Sequence, residues 1–251
     1  MPRSLRRVDF APPREPSIVL SSPHETICVN LRRVPGAKRF TLRVRSAKRD
    51  VVLTMPWRAS VSSAREFAER HRDWIGARMR RIPAPVRFEP GAIVPLFGEP
   101  HEIAHREGAR GVVWTEFGDN GERLLCVAGR GEHVARRVAE FLRREALKRL
   151  RQSVLAHASA IGVVIQRVTV RDTISRWGSC SVSGALSFSW RLVMAPEFVL
   201  DYLAAHEVAH RRHHNHSPEF WALTKSMSAA TDKAEAWLKA RGSELHRYGA
   251  E

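Results

Sequence analysis

Apolar and polar residues alternate with a period of two along much of the first part of the chain, which is the pattern of half-buried β-strands. Residues 27–31 and 40–44 alternate in this way, and Pro35-Gly36 between them favours a turn. We therefore predict a hairpin-like pair of strands. Residues 51–55 form an apolar run that predicts a third strand. Residues 1–22 contain several prolines and little periodicity, so we expect an irregular lead-in there.

One helix is predicted within this β-rich region. Apolar residues from Ala64 to Met79 recur at helical spacing, Ser60 or Ser62 can cap the helix, and Pro83 breaks it. Alternating runs separated by glycines predict short strands around 93–97, 101–106, 112–117 and 124–127. Residues 23–130 are therefore predicted to form a β-rich N-terminal region with one helix.

From Glu132 onward the apolar residues follow the period of a helix. One face of residues 134–155 is apolar, and Gly162 lies just past the end of this predicted long helix. Strands are predicted at 163–170 and 186–190, and further helices at Pro196, at Ser217-Pro218 and near Thr231. We therefore predict an α+β fold in which residues 131–251 form a second domain.

The helix that begins at Pro196 carries the clearest chemistry of the chain. His206 and His210 are four residues apart, so their side chains lie one turn apart on one face and can bind a common metal ion. His216 follows His206 by ten residues, the third-ligand spacing of the extended zincin motif. Glu207 lies beside these ligands, where its carboxylate can take a proton from a bound water. The pattern predicts one catalytic zinc ion, held by imidazoles with one position open.

A second copy of the H-E-x-x-H pattern occurs earlier in the chain and serves as a control. His101, Glu102 and His105 spell it, but Gly111 stands where a third histidine would be needed. If this segment is a strand, its two histidines are about 13 Å apart at about 3.3 Å per residue, too far to share one metal ion. We interpret the first copy as a chance match.

Composition narrows the expected partners and compartment. The formal net charge of +16 favours an anionic partner such as a nucleotide or nucleic acid, although an arginine-rich solvated surface explains it equally well. The three cysteines include no C-x-x-C pair, so neither a disulfide framework nor a thiolate metal site is indicated. No stretch reaches the about 18–20 apolar residues that span a bilayer, and the first residues lack a secretory apolar segment. We expect a cytoplasmic protein with no membrane partner.

Several motifs of the second half occur in a characteristic order. Residues 176–181 read Arg-Trp-Gly-Ser-Cys-Ser, and an apolar strand, Pro196 and Asp201-Tyr202 follow. The H-E-x-x-H helix and then the segment 215–221, Asn-His-Ser-x-x-Phe-Trp, complete the series. This succession resembles the YgjP-like metallopeptidase family, a relative of the SprT and WLM zinc proteases. The resemblance is sharpest over about 170–223 and extends more loosely over about 25–240.

This resemblance implies a zincin-like α+β fold with an active-site helix and a β-rich part before it. It also implies a protein or peptide as substrate. His206, His210 and His216 carry over as zinc ligands, and Glu207 carries over as the catalytic acid/base. The sequence departs from the commonest form of the motif at Val208, where leucine is usual, and the change preserves an apolar side chain.

The run 176–178 is a candidate substrate-binding segment. The turn at Gly178 and the strand after it could lie against an extended substrate, while Arg176 could polarise a carbonyl or bind an anion. Trp177 has two interpretations, since it either belongs to this surface or packs over the catalytic helix.

Three functions are consistent with these residues. The leading hypothesis is a zinc metallopeptidase that cleaves amide bonds by a zinc-activated water, with Glu207 as general acid/base. A second is a zinc hydrolase of a nucleotide or other phosphate-bearing substrate, held by the basic surface. A third is a basic nucleic-acid-binding module in which the metal is structural.

Overall fold

The chain divides into two compact units. The computed structural model describes residues 16–21, 26–46 and 48–249, and the division falls between Ile82 and Pro83. This division lies well before the boundary at 130/131 expected from the sequence. The reason is that the strands of residues 93–128 share a hydrophobic core with the long helix that follows them, through residues such as Ile103, Leu125 and Leu142.

The first unit is a four-stranded sheet with two helices. Its strand order is β1-β2-β4-β3, with β2 and β4 parallel and the other pairs antiparallel. Buried side chains of the strands and helices form a separate core, including Val29, Leu53 and Ile75. The elements are β1 (Ser17–Ser21), β2 (Thr26–Val34), β3 (Thr41–Arg45), β4 (Asp50–Pro56), α1 (Val61–Arg70) and α2 (Arg72–Arg80).

Two predictions for the strands of this unit are wrong. β1 occupies part of the stretch expected to be irregular, because Ile18 and Leu20 are buried and the strand pairs with β2. β2 and β3 do not form a hairpin, since β4 lies between them. Val51 and Val52 of β4 point to opposite faces and are both buried, as expected of a central strand.

The single predicted helix is interrupted at His71. The imidazole Nδ1 of His71 lies 2.8 Å from the Phe67 carbonyl, the oxygen that a continuous helix would offer to the His71 backbone N–H. That N–H instead donates to the carbonyl of Ala68 at 3.1 Å. The side chain thus competes with the backbone for one acceptor, and the helix restarts at Arg72.

The second unit contains two sheets and four α-helices among its described residues. One sheet has the order β5-β6-β8-β7, and the other has the order β10-β11-β9 with β11 parallel to β9. Its elements are β5 (Ile93–Leu96), β6 (Glu99–Arg106), β7 (Val113–Phe117), β8 (Arg123–Ala128), α3 (Val134–Ala160), β9 (Arg167–Arg171), β10 (Gly178–Cys180), β11 (Ala185–Ser189), α4 (Glu197–Ala209), α5 (Pro218–Met227) and α6 (Thr231–Arg241). The fold is therefore α+β.

Helix α4 lies at the centre of this unit. The predicted apolar stripe of α3 packs against it, and Leu150 and Val154 of that stripe are fully buried. His157 of α3 approaches Asp201 of α4 with an Nε2–Oδ1 distance of 2.8 Å. On α4 itself, burial extends around nearly the whole circumference, and Val199, Ala205 and Val208 have no exposed surface. α4 is thereby held between α3, α5, α6 and β10.

Among the residues that the structure describes, no helix is both long and apolar enough to cross a membrane.

The packing of α3 predicts that two leucine-to-alanine substitutions on this helix lower the free energy of unfolding by different amounts. Leu150 is fully buried and Leu155 is 53% exposed. Leu150→Ala should lower the free energy of unfolding by about 2–5 kcal/mol, because it removes buried methyl groups and leaves a cavity. Leu155→Ala is the matched control and should cost less than about 1 kcal/mol. Urea unfolding followed by circular dichroism measures both, and equal losses would contradict the central position of the α3 stripe.

Candidate metal centre

Three imidazoles come together at the end of α4 and the start of α5. His206 lies in the last turn of α4 and His210 is its C-cap residue. The backbone then turns, and Ser217 caps α5 by accepting a hydrogen bond from the Phe220 N–H. This cap fixes His216 immediately before α5. One nitrogen from each of the three histidines lies within 4.8 Å of the others.

The spacing of these nitrogens suits a shared metal ion. The Nε2 atoms of His206 and His216 are 3.2 Å apart. Two imidazole nitrogens at about 2.0–2.1 Å from a tetrahedral zinc ion are separated by about 3.3 Å. Without a cation or proton between them, two nitrogen lone pairs at that distance repel each other. The spacing of the His206 and His216 nitrogens therefore fits a bound zinc ion.

A buried phenylalanine supports all three rings. Phe220 has no exposed surface, and its ring centroid lies 4.6 Å from that of His210, 4.9 Å from that of His206 and 4.8 Å from that of His216. Contacts of this kind restrict ring rotation by close packing. The first turn of α5 therefore orients the histidines as well as positioning His216.

The second nitrogens of two of these histidines have partners of their own. The Nδ1 of His206 lies 3.3 Å from the Tyr202 hydroxyl, which donates to the Glu235 carboxylate at 3.0 Å. The Nδ1 of His210 lies 3.0 Å from the carbonyl oxygen of His213. Because both acceptors are satisfied by an Nδ1–H, the Nε2 lone pair of each ring stays available to a metal ion.

Sequence reasoning missed the contact between Tyr202 and Glu235. Glu235 lies on α6, 33 residues after Tyr202 in the sequence. One local signal was present, because Tyr202 precedes His206 by one helical turn and must lie on the same face. The identity of the residue on α6 that meets this hydroxyl depends on tertiary packing.

Burial favours the neutral form of His206 and His210. The pKa of His206 falls to about 4, mainly through loss of hydration and then through the neighbouring His210 and His216. The pKa of His210 is lowered as well, again chiefly by burial. The neutral ring is the form that binds metal ions, so the lowered pKa values of these two histidines favour metal binding.

The three histidines line a pocket, here called the metal pocket. Among the described residues, Glu207 is the one acidic side chain that lines it. It is 4% exposed, and burial raises its pKa to about 7, while the positive charge of Arg176 acts in the opposite direction. Its Oε2 atom is buried and has no hydrogen-bond partner in the described part of the protein. A buried carboxylate oxygen without a partner is costly, and such groups occur where a site is built to accept a proton.

Gly178 allows this carboxylate to approach β10. A Cβ atom at position 178 would lie 2.8 Å from both Cγ and Cδ of Glu207, which is closer than such atoms come in proteins. Glycine is therefore required here for close packing of the strand on α4. This gives Gly178 a role in placing Glu207, whereas the sequence suggested a role in substrate binding.

Comparison with known families agrees with the residue pattern. Residues 38–241 match the family described as "YgjP-like, metallopeptidase domain". The chain belongs to the YgjP-like metallopeptidase family. Neither a curated protein nor a solved structure matches it significantly. Membership in this family implies a bound metal, and the three clustered imidazoles are the described side chains grouped closely enough to hold one.

The other candidate substrate-binding residues of this YgjP-like protein lie in different surroundings. Arg176 lines the metal pocket together with Gly178. Trp177 instead stacks on His246 with a centroid distance of 5.2 Å, and its ring approaches the backbone at Gly242. The indole thus packs against the C-terminal part of the unit, and Trp177 is not among the described residues that line the metal pocket.

The first H-E-x-x-H copy of the YgjP-like chain lies on strand β6, as the sequence predicted. His101 is buried, and its Nδ1 lies 2.9 Å from the carbonyl oxygen of Glu99. His105 is hydrogen-bonded through Nε2 to the carbonyl oxygen of Gly129. Both imidazoles are therefore used in local structural contacts, and neither joins a cluster of metal-ligating groups within the described residues.

The close contact at Gly178 predicts the effect of adding one methyl group. Gly178→Ala should reduce hydrolysis at least about tenfold while leaving metal content unchanged, since the three atoms nearest to the new Cβ all belong to Glu207. Gly131→Ala is the control, because a Cβ there meets its nearest atom, His105 Cε1, at 3.8 Å. Activity assays paired with metal analysis measure the effect, and full activity of Gly178→Ala would show that Glu207 tolerates the shift.

Proposed function

We propose that the protein is a zinc-dependent peptidase that hydrolyses amide bonds at the pocket formed by His206, Glu207, His210 and His216. The observation that carries this proposal is the placement of a buried, partnerless carboxylate oxygen beside three converging imidazoles. Three neutral protein ligands with an adjacent carboxylate are the arrangement of hydrolytic zinc centres rather than closed structural ones. Membership in a metallopeptidase family supports the same choice of substrate class.

In this proposal His206, His210 and His216 each bind the ion through Nε2. The Nδ1 atoms of His206 and His210 are already hydrogen-bonded, and the Nε2 of His216 lies beside that of His206. Zinc supplies Lewis acidity when bound, which lowers the pKa of water and polarises the scissile carbonyl. The hydrogen bonds from the two Nδ1–H groups keep the rings of His206 and His210 in one tautomer and one orientation.

Glu207 is the proposed general acid and base. Its carboxylate takes a proton from the attacking water and delivers it to the leaving nitrogen, a function that contributes about 10²–10⁴-fold to the rate of such reactions. Burial raises the pKa of Glu207 to about 7, which favours the uptake of a proton from the attacking water. Arg176 lines the same pocket, where its positive charge favours the ionised form.

Metal analysis of histidine variants tests the ligand set. His206→Ala, His210→Ala and His216→Ala should each lower the zinc content of the purified protein from about one ion per chain towards none, because three ligands become two. His101→Ala and His105→Ala, taken from the other H-E-x-x-H copy, should leave the zinc content unchanged. Elemental analysis after gel filtration measures both sets. Zinc that persists in all three variants of the first set would place the ion elsewhere.

The role of Glu207 is tested by removing its charge without changing its shape. Glu207→Gln should retain zinc, and its hydrolytic rate should fall at least about 100-fold. Glu102→Gln, at the equivalent position of the other motif copy, is the control and should keep full activity. Hydrolysis of casein and of nucleoside triphosphates is measured side by side with chelator controls. Cleavage of the triphosphates alone would support the phosphate-bearing substrate instead, and undiminished casein hydrolysis by Glu207→Gln would exclude the mechanism.

A further inference from the structure

One face of the β10-β11-β9 sheet is lined by arginines and hydroxyl groups. Arg167, Thr169 and Arg171 are every second residue of β9, so their three side chains share one face of the sheet. Ser187 of β11 lies opposite Thr169, and Ser179 of β10 lies opposite Ser187. Together with other residues they line a groove of about 450 Å³. Its described lining contains three arginines and no carboxylate.

The two β9 arginines are not used to stabilise the fold through ion pairs. Elsewhere in this unit exposed arginines often pair with acidic groups, as Arg136 does with Glu140 and Arg149 with Glu197. Arg167 and Arg171 are exposed, and neither has a carboxylate partner among the described residues, which are 16–21, 26–46 and 48–249. The nearest acidic residue in sequence, Asp172, is bound by Arg191 instead. These two guanidinium groups therefore leave uncompensated positive charge on this face of the sheet, which an anionic ligand would neutralise.

This groove is continuous with the candidate metal centre. Arg176, Ser179 and Cys180 line both the groove and the metal pocket. A substrate segment that lies on the sheet face can therefore extend past Arg176 to the pocket that contains Glu207. Burial raises the pKa of the Cys180 thiol, so this shared wall adds no negative charge near neutral pH.

We propose that the groove is a subsite for an acidic segment of the peptide substrate, with Arg167 and Arg171 binding its carboxylates. The proposal rests on the proposed peptidase function for its biological meaning. Guanidinium groups bind carboxylates through paired hydrogen bonds, and the hydroxyls of Ser179 and Ser187 can donate further ones. The Thr169 hydroxyl donates to the Leu186 carbonyl and so can only accept a hydrogen bond from the ligand. The ligand is thus a peptide with acidic side chains next to the bond that is cleaved.

The spacing of the arginines fits an extended peptide. Arg167 and Arg171 are four residues apart on one strand, which corresponds to about 13 Å. In an extended peptide, side chains four residues apart point to the same side with the same separation. A peptide that runs along β9 can therefore present two carboxylates, at positions i and i+4, to the two guanidinium groups.

The same groove is less suited to single-stranded nucleic acid. Proteins that bind such strands combine basic residues with aromatic side chains on which the bases stack. No aromatic side chain belongs to the described lining of this groove. Peptide binding is therefore favoured, and nucleic-acid binding becomes an outcome that the test can detect.

Fluorescence anisotropy with a labelled decapeptide of alternating glutamate and serine tests the proposal. The full-length Glu207→Gln protein is used so that the probe is not consumed. We expect saturable binding that weakens with added salt and an increase in Kd of about tenfold when Arg167→Gln and Arg171→Gln are introduced together. Because binding is measured without turnover, a failure of the peptidase proposal would appear in the casein assay and not here.

A matched variant separates this groove from the general positive charge of the protein. Arg110→Gln with Arg151→Gln removes the same charge from two exposed arginines that do not line the groove, and it should change Kd less than about twofold. A peptide with glutamine in place of glutamate should bind at least about tenfold more weakly. Equal weakening in the two double variants, equal binding of the glutamine peptide, or tighter binding of an oligothymidylate decamer through Arg167 and Arg171 would each overturn the proposal.

Discussion

The burial of α4 is the constraint on which the candidate site depends. A helix enclosed on nearly all sides places any polar side chain it carries in surroundings of low polarity, where hydration is lost and partners are required. This explains why the pKa of His206 falls while that of Glu207 rises, although both residues occupy neighbouring positions. It also explains why the Nδ1 atom of His206 meets a hydroxyl rather than solvent. Core packing and site chemistry therefore have the same physical origin in this protein.

The third imidazole depends on a different element, the N-terminus of α5. The Ser217 cap determines where that helix begins, and Phe220, one turn into it, packs against all three histidine rings. A short connection between α4 and α5 is enough to bring His216 back because the backbone turns directly after His210. The site is thus built from two consecutive helices and closed by β10, where the absence of a side chain at Gly178 leaves room for Glu207.

Elements with a strong helical period could be predicted from sequence, whereas strand pairing could not. Helices α3 to α6 follow from their apolar spacing and from caps such as Ser217, because both signals are local. The pairing of β2 with β4 is non-local, and nothing in residues 27–44 excludes a hairpin. At the site, H-E-x-x-H together with His216 predicted the cluster because the spacing is a property of one helix and the turn after it. The partner of Tyr202 on α6 and the contact between Gly178 and Glu207 depend on packing between distant segments, so the sequence did not reveal them.

The hydrogen-bonded chain from Glu235 through Tyr202 to His206 has an electronic consequence. The Glu235 carboxylate polarises the His206 imidazole through the Tyr202 hydroxyl. It therefore strengthens the Nε2 of His206 as an electron donor without placing its own charge in the pocket. With three uncharged rings as the proposed donors, a dication would keep most of its electrophilic character. An arrangement with a carboxylate bound directly would have neutralised part of that character.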